Sequence, residues 1–222
     1  MKPSTTPSSS AFVFADIAGF TTITEIHGDA EAAETADAFV ADVAPLLPEH
    51  GAQLVKTIGD ALMLRAEDPA RAVALGVRIA CELMTGHLSP TVRVGMHYGP
   101  ALARGDDWFG ATVNLAARIA GEAAGGEVLL SAATRDAAGE VPGVRTESVG
   151  LRRLRNIESP VELLRALPAE GAAQELPLDP VCRMAVDPAH CAGSLVHDDV
   201  TYHFCSLDCV ARFARDPDRY AA

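Results

Sequence analysis

The stretch AFVFADIAGFTTIT, residues 11–24, places a carboxylate at the end of an apolar run. Residues 11–16 have the character of a buried strand, and that strand stops at Asp16. A glycine-containing turn follows and leads to Thr21 at the start of a helix. Amides at a helix start are suited to binding phosphate groups. The stretch therefore predicts a carboxylate and an anion-binding turn side by side at one strand end.

Helical and strand patterns alternate after this strand. The expected elements are a strand at 11–16, a helix at 29–48, hairpin strands at 52–57 and 60–66, a helix at 68–86, a strand at 91–99, a helix at 110–122, a strand at 126–131 and two short strands within 144–167. Gly59 suits the hairpin turn, and Asp68, Pro69 and Gly86 are expected to cap, begin and stop the helix at 68–86. This order predicts an α+β, ferredoxin-like fold, an antiparallel sheet with helices on one face.

Length and composition suit a globular protein with room for one good-sized domain and a small one. The chain has 222 residues, of which 49% are hydrophobic and 22% charged. Residues 1–10 are polar and rich in Pro and Ser, so they are expected to form a disordered tail, without the apolar run of a signal peptide.

Charge and hydropathy exclude two classes of partner. A formal net charge of −12 disfavours binding to nucleic acid, whose phosphates attract a basic surface. No apolar run is long enough to span a bilayer, so no membrane partner is expected either. A cytoplasmic, reducing location is therefore predicted.

The cysteines divide the chain unevenly. Cys81 falls in a helical pattern and is expected to be an inert core residue. The other four lie in the last fifth of the chain, at positions 182, 191, 205 and 209. We therefore predict a first domain over 11–168, a small acidic linker over 169–176 and a second domain over 177–222.

Three motifs in the first domain carry its chemistry. They are FADIAGFT with Asp16, KTIGDALM with Lys56 and Asp60, and DWFGATVNLAARI with Asp107, Asn114 and Arg118. In this order and at this spacing, the chain resembles the class III nucleotidyl cyclases over about residues 11–168. The resemblance implies an adenylate cyclase that forms cyclic AMP and pyrophosphate from ATP.

Asp16 ends one strand and Asp60 begins the second strand of the neighbouring hairpin, so both carboxylates are expected at one sheet edge. Such oxygen ligands suit Mg²⁺ or Mn²⁺. The resemblance implies two ions per site, held by Asp16, Ile17 and Asp60, that activate the ribose 3′-hydroxyl and hold the triphosphate. The turn of Ala18, Gly19, Phe20 and Thr21 is expected to bind the β- and γ-phosphates.

Helix 110–122 carries Asn114 and Arg118 one turn apart and hence on one face. The resemblance implies that they orient the ribose and stabilise charge on the reacting phosphorus. Arg155, within LRRLRNIESP, supplies a further positive charge for the terminal phosphates. The family usually has Lys followed by Gly there, and this chain has Arg155 followed by Asn156.

Lys56 and Asp107 are expected to read the base. An ammonium facing the acceptor ring nitrogen of adenine and a carboxylate facing its amino group match adenine and mispair with guanine. The family's base-reading acid lies seven residues before the asparagine, which selects Asp107 over Asp106. Preference for GTP would indicate a guanylate cyclase instead.

The resemblance also implies a head-to-tail homodimer, because metal-binding and base-reading residues of one site come from different chains in this family. This sequence carries both sets. The alternative is a catalytically inactive cyclase-homology dimer that binds nucleotide and serves as a metal sensor or carrier.

The second domain resembles the YHS domains through DPVCRM, TYHFC, CVARF and DPDRY. Cys182, Cys205 and Cys209 are expected to converge after a hairpin and to hold Zn²⁺ or copper. The possible fourth ligands are Cys191, His190 and His203, with His197 less favoured. A regulatory sensor, a structural metal module and a metal-free module all remain open.

Overall fold

The computed structural model of the protein describes residues 8–83, 86–169 and 176–221. Its strands are β1 (Ser8–Ile17), β2 (Ala52–Ile58), β3 (Ala61–Ala66), β4 (Val92–Arg104), β5 (Asp107–Phe109), β6 (Val128–Ser131), β7 (Val144–Arg152), β8 (Val161–Pro168), β9 (Gly193–His197) and β10 (Val200–Phe204). Its helices are α1 (Phe20–His27), α2 (Asp29–Val43), α3 (Leu46–Glu49), α4 (Pro69–Val77), α5 (Ala111–Glu122), α6 (Ala132–Ala138), α7 (Leu207–Arg215) and α8 (Pro217–Tyr220). Within the described part of the chain, no helix has the length and apolar character needed to cross a bilayer.

The first domain is built on an eight-stranded sheet. Its order is β2-β3-β1-β4-β6-β8-β7, with β5 attached to β4. The first four strands in this order are the ferredoxin-like core, and the predicted α+β class is confirmed. One neighbouring pair, β4 with β6, runs parallel, and the others along this order are antiparallel.

Helices cover both faces of the sheet, which corrects the expectation of helices on one face. Alternate side chains of β1 point to opposite faces. Val13 and Ala15 belong to one buried cluster together with α2 and α4 residues, whereas Phe12 and Phe14 belong to another that includes Ala116 of α5. The second helical layer follows from the apolar run of β1, because a strand that is apolar on both sides must be covered on both.

Helix α5 lies very close to β4. A Cβ atom added at Gly95 of β4 would lie 2.0 Å from the main-chain nitrogen of Ala120, which no real contact permits. Gly95 is therefore required so that the helix can rest directly on the strand. This contact fixes the height of α5 above the sheet.

The ends of several elements differ from the predictions. Residues 8–10 belong to β1 and pair with β4, so only 1–7 of the expected tail lie outside the described residues. The buried Ser10 hydroxyl accepts a hydrogen bond from Arg65, which gives a polar residue a place in the sheet. The predicted helix 29–48 is interrupted at Pro45, which cannot continue the backbone hydrogen bonding. Strand β5 and helix α6 were not predicted.

The predicted helix 68–86 begins as expected and then changes geometry. Asp68 accepts hydrogen bonds from the Ala70 and Arg71 amides at the helix start. Residues Arg78–Leu83 continue as a π-helical segment, and residues 84–85 lie outside the described residues. Cys81 in this segment is half-buried rather than fully in the core.

The C-terminal domain is a β9-β10 hairpin followed by α7 and α8. Phe213 of α7 packs against Tyr202 and Phe204 of β10, with ring centroids 4.8 and 5.2 Å apart. The domain also joins the first domain through a bridge between Pro90 and Met184. Residues 170–175 of the predicted linker lie outside the described residues.

Candidate functional site

Asp16 and Asp60 meet at one edge of the sheet. Antiparallel register pairs Asp16 with Ala61, the residue that directly follows Asp60. Burial, a hydrogen bond to Asp16 and repulsion from its charge raise the pKa of Asp60 to about 6. Two carboxyl groups thus share one small region, in which like charges disfavour full ionisation.

Arg93 is a neighbour of this acid pair that sequence reasoning missed. It lies opposite Asp16 in the β1-β4 register, and its guanidinium binds the Asp16 carboxylate, with Nε 2.8 Å from Oδ2. The positive charge partly offsets that of the two acids. An arginine in an alternating strand gives no sign of this contact until the strand register is known.

The acid pair fits a hard divalent cation. Mg²⁺ and Mn²⁺ take carboxylate oxygens and leave positions for substrate phosphates. Two carboxylates held this close repel each other, so a cation placed between them would be favourable. Ile17 follows directly and is 1% exposed as a whole residue; its side chain is a hydrocarbon, so its main-chain oxygen is the atom that could act as a ligand.

The predicted phosphate-binding turn links β1 to α1. Gly19 adopts a left-handed conformation with φ 76° and precedes α1. Its carbonyl accepts hydrogen bonds from the amides of Thr22 and Ile23. Ala18 and Phe20 are half-buried, and Gly19 and Thr21 are exposed. The turn therefore presents backbone to solvent beside Asp16.

Lys56 and Asp107 lie in direct contact. A shift of register between Leu54 and Lys56 turns this part of β2 toward β5, where Asp107 begins the strand. Lys56 Nζ lies 2.6 Å from Asp107 Oδ2, and the Trp108 amide donates to the other oxygen. The hydrogen bond from Lys56, followed by that from Trp108, lowers the pKa of Asp107. Both side chains are partly exposed.

Asn114 and Arg118 are exposed on the same face of α5. Arg155 is exposed in the turn between β7 and β8, and Asn156 after it has φ 60°. Asparagine tolerates this left-handed conformation better than other non-glycine residues. The turn thus keeps a conformation that glycine usually provides, although glycine is absent.

Three cysteines of the C-terminal domain converge with a histidine of the first domain. The ligand atoms of His27, Cys182, Cys205 and Cys209 all lie within 4.8 Å of one another. Cys205 Sγ lies 3.4 Å from Cys182 Sγ and 3.7 Å from Cys209 Sγ. Hydrogen bonds from Cys182 and then Cys205 lower the pKa of Cys209. This donor set fits a thiophilic metal ion such as Zn²⁺.

The fourth donor corrects the predicted set, since Cys191 and His203 lie outside this cluster. Tyr202 and Phe204 turn one face of the hairpin toward α7, so His203 between them points to the other face. Cys191 precedes β9 beside the end of β10, where the Ala192 amide donates to the Phe204 carbonyl at 2.9 Å, but its thiol does not belong to the four converging donors.

His190 and His197 are also engaged elsewhere. His190 Nδ1 lies 2.6 Å from Asp187 Oδ2, and His197 Nε2 lies 3.3 Å from Asp218 Oδ1. His27 stands 155 positions before the first of these cysteines in the numbering, and no local spacing pointed to it.

Comparison with known proteins agrees with both resemblances. The family model of the adenylate and guanylate cyclase catalytic domain matches residues 4–157, and that of the YHS domain matches residues 178–222. A pH-sensitive adenylate cyclase of Mycobacterium tuberculosis is 37% identical over 155 residues, which cover 68% of this chain and 39% of that protein. The chain thus spans about two-fifths of the length of this relative.

The chain is also similar to a solved structure in fold and to a further protein over a shorter segment. The adenylyl cyclase CyaB of P. aeruginosa has a TM-score of 0.67 at 19% identity, covering 77% of this chain and 99% of that one, which shows a shared fold. A copper-transporting P-type ATPase of Rhizobium leguminosarum is 45% identical over 51 residues, 23% of this chain and 6% of that protein. On the family matches, the chain belongs to the class III adenylate and guanylate cyclase catalytic family and carries a C-terminal YHS domain.

Proposed function

We propose that the protein is an adenylate cyclase that converts ATP to 3′,5′-cyclic AMP and pyrophosphate. The contact between Lys56 and Asp107 carries the choice of adenine over guanine. An ammonium and a carboxylate held side by side offer a donor to the ring nitrogen and an acceptor to the amino group of adenine. Relatives named adenylate cyclases, including that of Mycobacterium tuberculosis, support the same choice.

The residues divide the work along the nucleotide. The turn from Ala18 to Thr21 binds the β- and γ-phosphates through main-chain amides, and Arg155 adds positive charge at the terminal phosphates. Asn114 orients the ribose so that its 3′-hydroxyl faces the α-phosphorus. Arg118 stabilises the negative charge that develops there as pyrophosphate leaves.

Asp16 and Asp60, with the Ile17 main-chain oxygen, would hold the divalent ions. Mg²⁺ or Mn²⁺ supplies charge stabilisation on the phosphates and lowers the pKa of the attacking hydroxyl. Before binding, the Arg93 guanidinium is paired with the Asp16 carboxylate, and the raised pKa of Asp60 makes that group easier to protonate than an ordinary Asp. Both features lessen the repulsion between two acids held close together.

A complete site requires a second copy of the chain. The turn after Asp16 leads to α1, which packs on one face of the sheet, whereas Asn114 lies on α5 at the opposite face. Exposed apolar side chains beside the Lys56–Asp107 pair, Ile58 and Phe109, are 50% and 49% exposed. Such side chains suit a protein interface. We infer a head-to-tail homodimer with two sites.

Product analysis tests the reaction and the base. Wild-type protein with Mn²⁺ should form cyclic AMP from ATP and far less cyclic GMP from GTP, and Asp16→Ala should abolish both activities. Preference for GTP would reject the adenine assignment. Binding of ATP with no release of pyrophosphate would instead favour the nucleotide-binding sensor.

Mixing inactive variants tests the shared site. Asp16→Ala and Asn114→Ala should each be inactive, and a mixture should recover roughly one quarter of wild-type activity, because half of the dimers are mixed and each has one intact site. Mixing Asp16→Ala with Asp60→Asn is the control and should recover nothing, since both lesions fall in the same half of the site. Equal recovery in the two mixtures would overturn the proposed dimer.

A further inference from the structure

The C-terminal domain rests on α1, the helix that begins at the phosphate-binding turn. Arg212 of α7 donates a hydrogen bond to the Glu25 carbonyl of α1 at 3.1 Å. At the other end of α1, the Cys182 carbonyl lies 3.5 Å from the position of a Cβ atom at Gly19. The two domains therefore touch along the length of this helix.

His27 lies in the last turn of α1 and faces the thiols. Its side chain is 9% exposed, and its Nε2 lies 3.6 Å from Cys205 Sγ. On the opposite side of the ring, Nδ1 lies 3.7 Å from Glu31 Oε1. A carboxylate near the second nitrogen is the usual partner of a metal-bound histidine, because it orients the ring and favours the tautomer with Nε2 unprotonated.

The separations between donor atoms match a tetrahedral site. Zinc–thiolate bonds of about 2.3 Å at a tetrahedral angle place two sulfur ligands about 3.8 Å apart. The sulfur separations of 3.4 and 3.7 Å approach this value. They exceed a disulfide bond of about 2.05 Å by a wide margin. Three thiols and one imidazole at these distances form a Cys₃His donor set.

The backbone around the thiols is held in place by a buried carboxylate. Asp179 is fully buried, and it accepts hydrogen bonds from the amides of Val181 at 2.8 Å and Cys205 at 2.9 Å. Ser206 caps α7 by accepting from the Cys209 amide at 3.2 Å. These contacts hold the backbone at or next to all three cysteines.

We propose that His27 of the cyclase domain completes a four-coordinate Zn²⁺ site with Cys182, Cys205 and Cys209, and that the bound ion fastens the C-terminal domain to α1. The ion would be a cross-link between domains rather than a structural metal of the C-terminal domain alone. Loading and loss of the metal would then be felt at the helix that follows the Ala18–Thr21 turn. The metal site itself does not depend on the proposed cyclase activity.

Metal titration of the full chain tests the ligand set. His27→Ala should weaken Zn²⁺ binding at least about tenfold, as loss of an organised ligand does, and His203→Ala is the matched control and should leave it unchanged. With Co²⁺ as the spectroscopic probe, His27→Ala should shift the visible bands of the bound ion. His27→Cys should restore tight binding and raise the thiolate-to-cobalt absorption, which a fold defect would not do.

Hydrogen exchange tests the cross-link. Zn²⁺ should slow amide exchange in α1 of the wild type and of His203→Ala, but not in His27→Ala at a Zn²⁺ concentration that still saturates the thiols. The proposal is overturned if His27→Ala matches the wild type in affinity and Co²⁺ spectrum. It is equally overturned if the metal leaves α1 exchange unchanged in the wild type, or if Cu(I) binds to the three thiols while Zn²⁺ does not bind.

Discussion

The acid pair and the cysteine cluster are two polar sites built in different ways. Asp16 and Asp60 belong to one domain and meet because neighbouring strands share a register. The thiols meet through a hairpin and a helix start, and their fourth companion, His27, comes from the other domain. The first arrangement needs only the sheet, whereas the second needs two domains in contact. The two sites should therefore respond differently to the same kind of change.

The largest expected effect is a loss of cyclase turnover in Asn114→Ala with no change in Zn²⁺ binding at the cysteine cluster. Asn114→Ala should lower kcat by about 10²–10³-fold, because a preorganised contact to the reacting nucleotide is lost. Zn²⁺ affinity should stay at the wild-type value. Steady-state kinetics and metal titration measure the two quantities, with Arg145→Ala on the distant strand β7 as the control. A kcat within a few-fold of wild type would remove Asn114 from the site.

Removal of the Asp179 carboxylate should affect the cysteine cluster and not the acid pair. Asp179→Ala leaves the buried amides of Val181 and Cys205 without their acceptor, which costs about 1–3 kcal/mol for each unsatisfied group. We expect weaker Zn²⁺ binding and a lower Tm, measured by titration and calorimetry. Asp208→Asn on exposed α7 is the matched control. Unchanged metal affinity in Asp179→Ala would show that the thiols are positioned without this carboxylate.

The acid pair should show a pH dependence that the cysteine cluster does not explain. The pKa of Asp60 is raised to about 6, mainly by burial and then by Asp16, so a proton competes with a divalent ion below that pH. At limiting Mn²⁺, activity should fall several-fold between pH 7 and pH 5.5, and saturating Mn²⁺ should restore much of it. A profile that is independent of Mn²⁺ concentration would contradict this competition.

The same group affects stability without metal. A carboxyl group with a pKa above its unfolded value of 3.8 stabilises the native state fully only below that value. This contribution is lost as the pH rises through about 6. In chelator, Asp60→Asn should therefore flatten the dependence of Tm on pH between 4 and 6. Wild type and variant with parallel Tm curves over this range would argue against the raised pKa.

The smallest expected effect concerns Asn156. Its φ of 60° suits Asn and Gly, so Asn156→Gly should change kcat/KM by less than about twofold. Asn156→Val places a branched side chain in the left-handed region and should cost about 1 kcal/mol or more. Thermal unfolding and kinetics of the pair check this. A large loss of activity in Asn156→Gly would mean that the asparagine side chain has a role of its own.

The placement of many candidate-site residues could be predicted from sequence because they lie in contiguous motifs at strand and helix ends. The structure places Asp16 at the end of a strand and the turn directly after it, as expected. It also brings Lys56 and Asp107 into contact. Arg93 was missed because its contact depends on which residue of β4 lies opposite Asp16. Covering of both sheet faces was missed because element order alone does not say which face a helix takes.

The cysteine cluster was predicted only in part for a related reason. Cys205 and Cys209 are four residues apart around the start of α7, so their convergence follows from local geometry. His27 is brought to them by packing between domains, which leaves no spacing signal in the chain. The predicted fourth ligands, Cys191 and His203, therefore both came from the C-terminal domain.

The absence of a side chain at Gly95 limits which residues this position can accept. The main chain of α5 occupies the space of the first side-chain carbon, so even alanine would push the helix outward. Asn114 and Arg118 would move with it as a rigid body. The position of the two side chains proposed to face the nucleotide thus depends on the absence of a side chain at Gly95. Substitution of Gly95 should therefore lower turnover as well as stability.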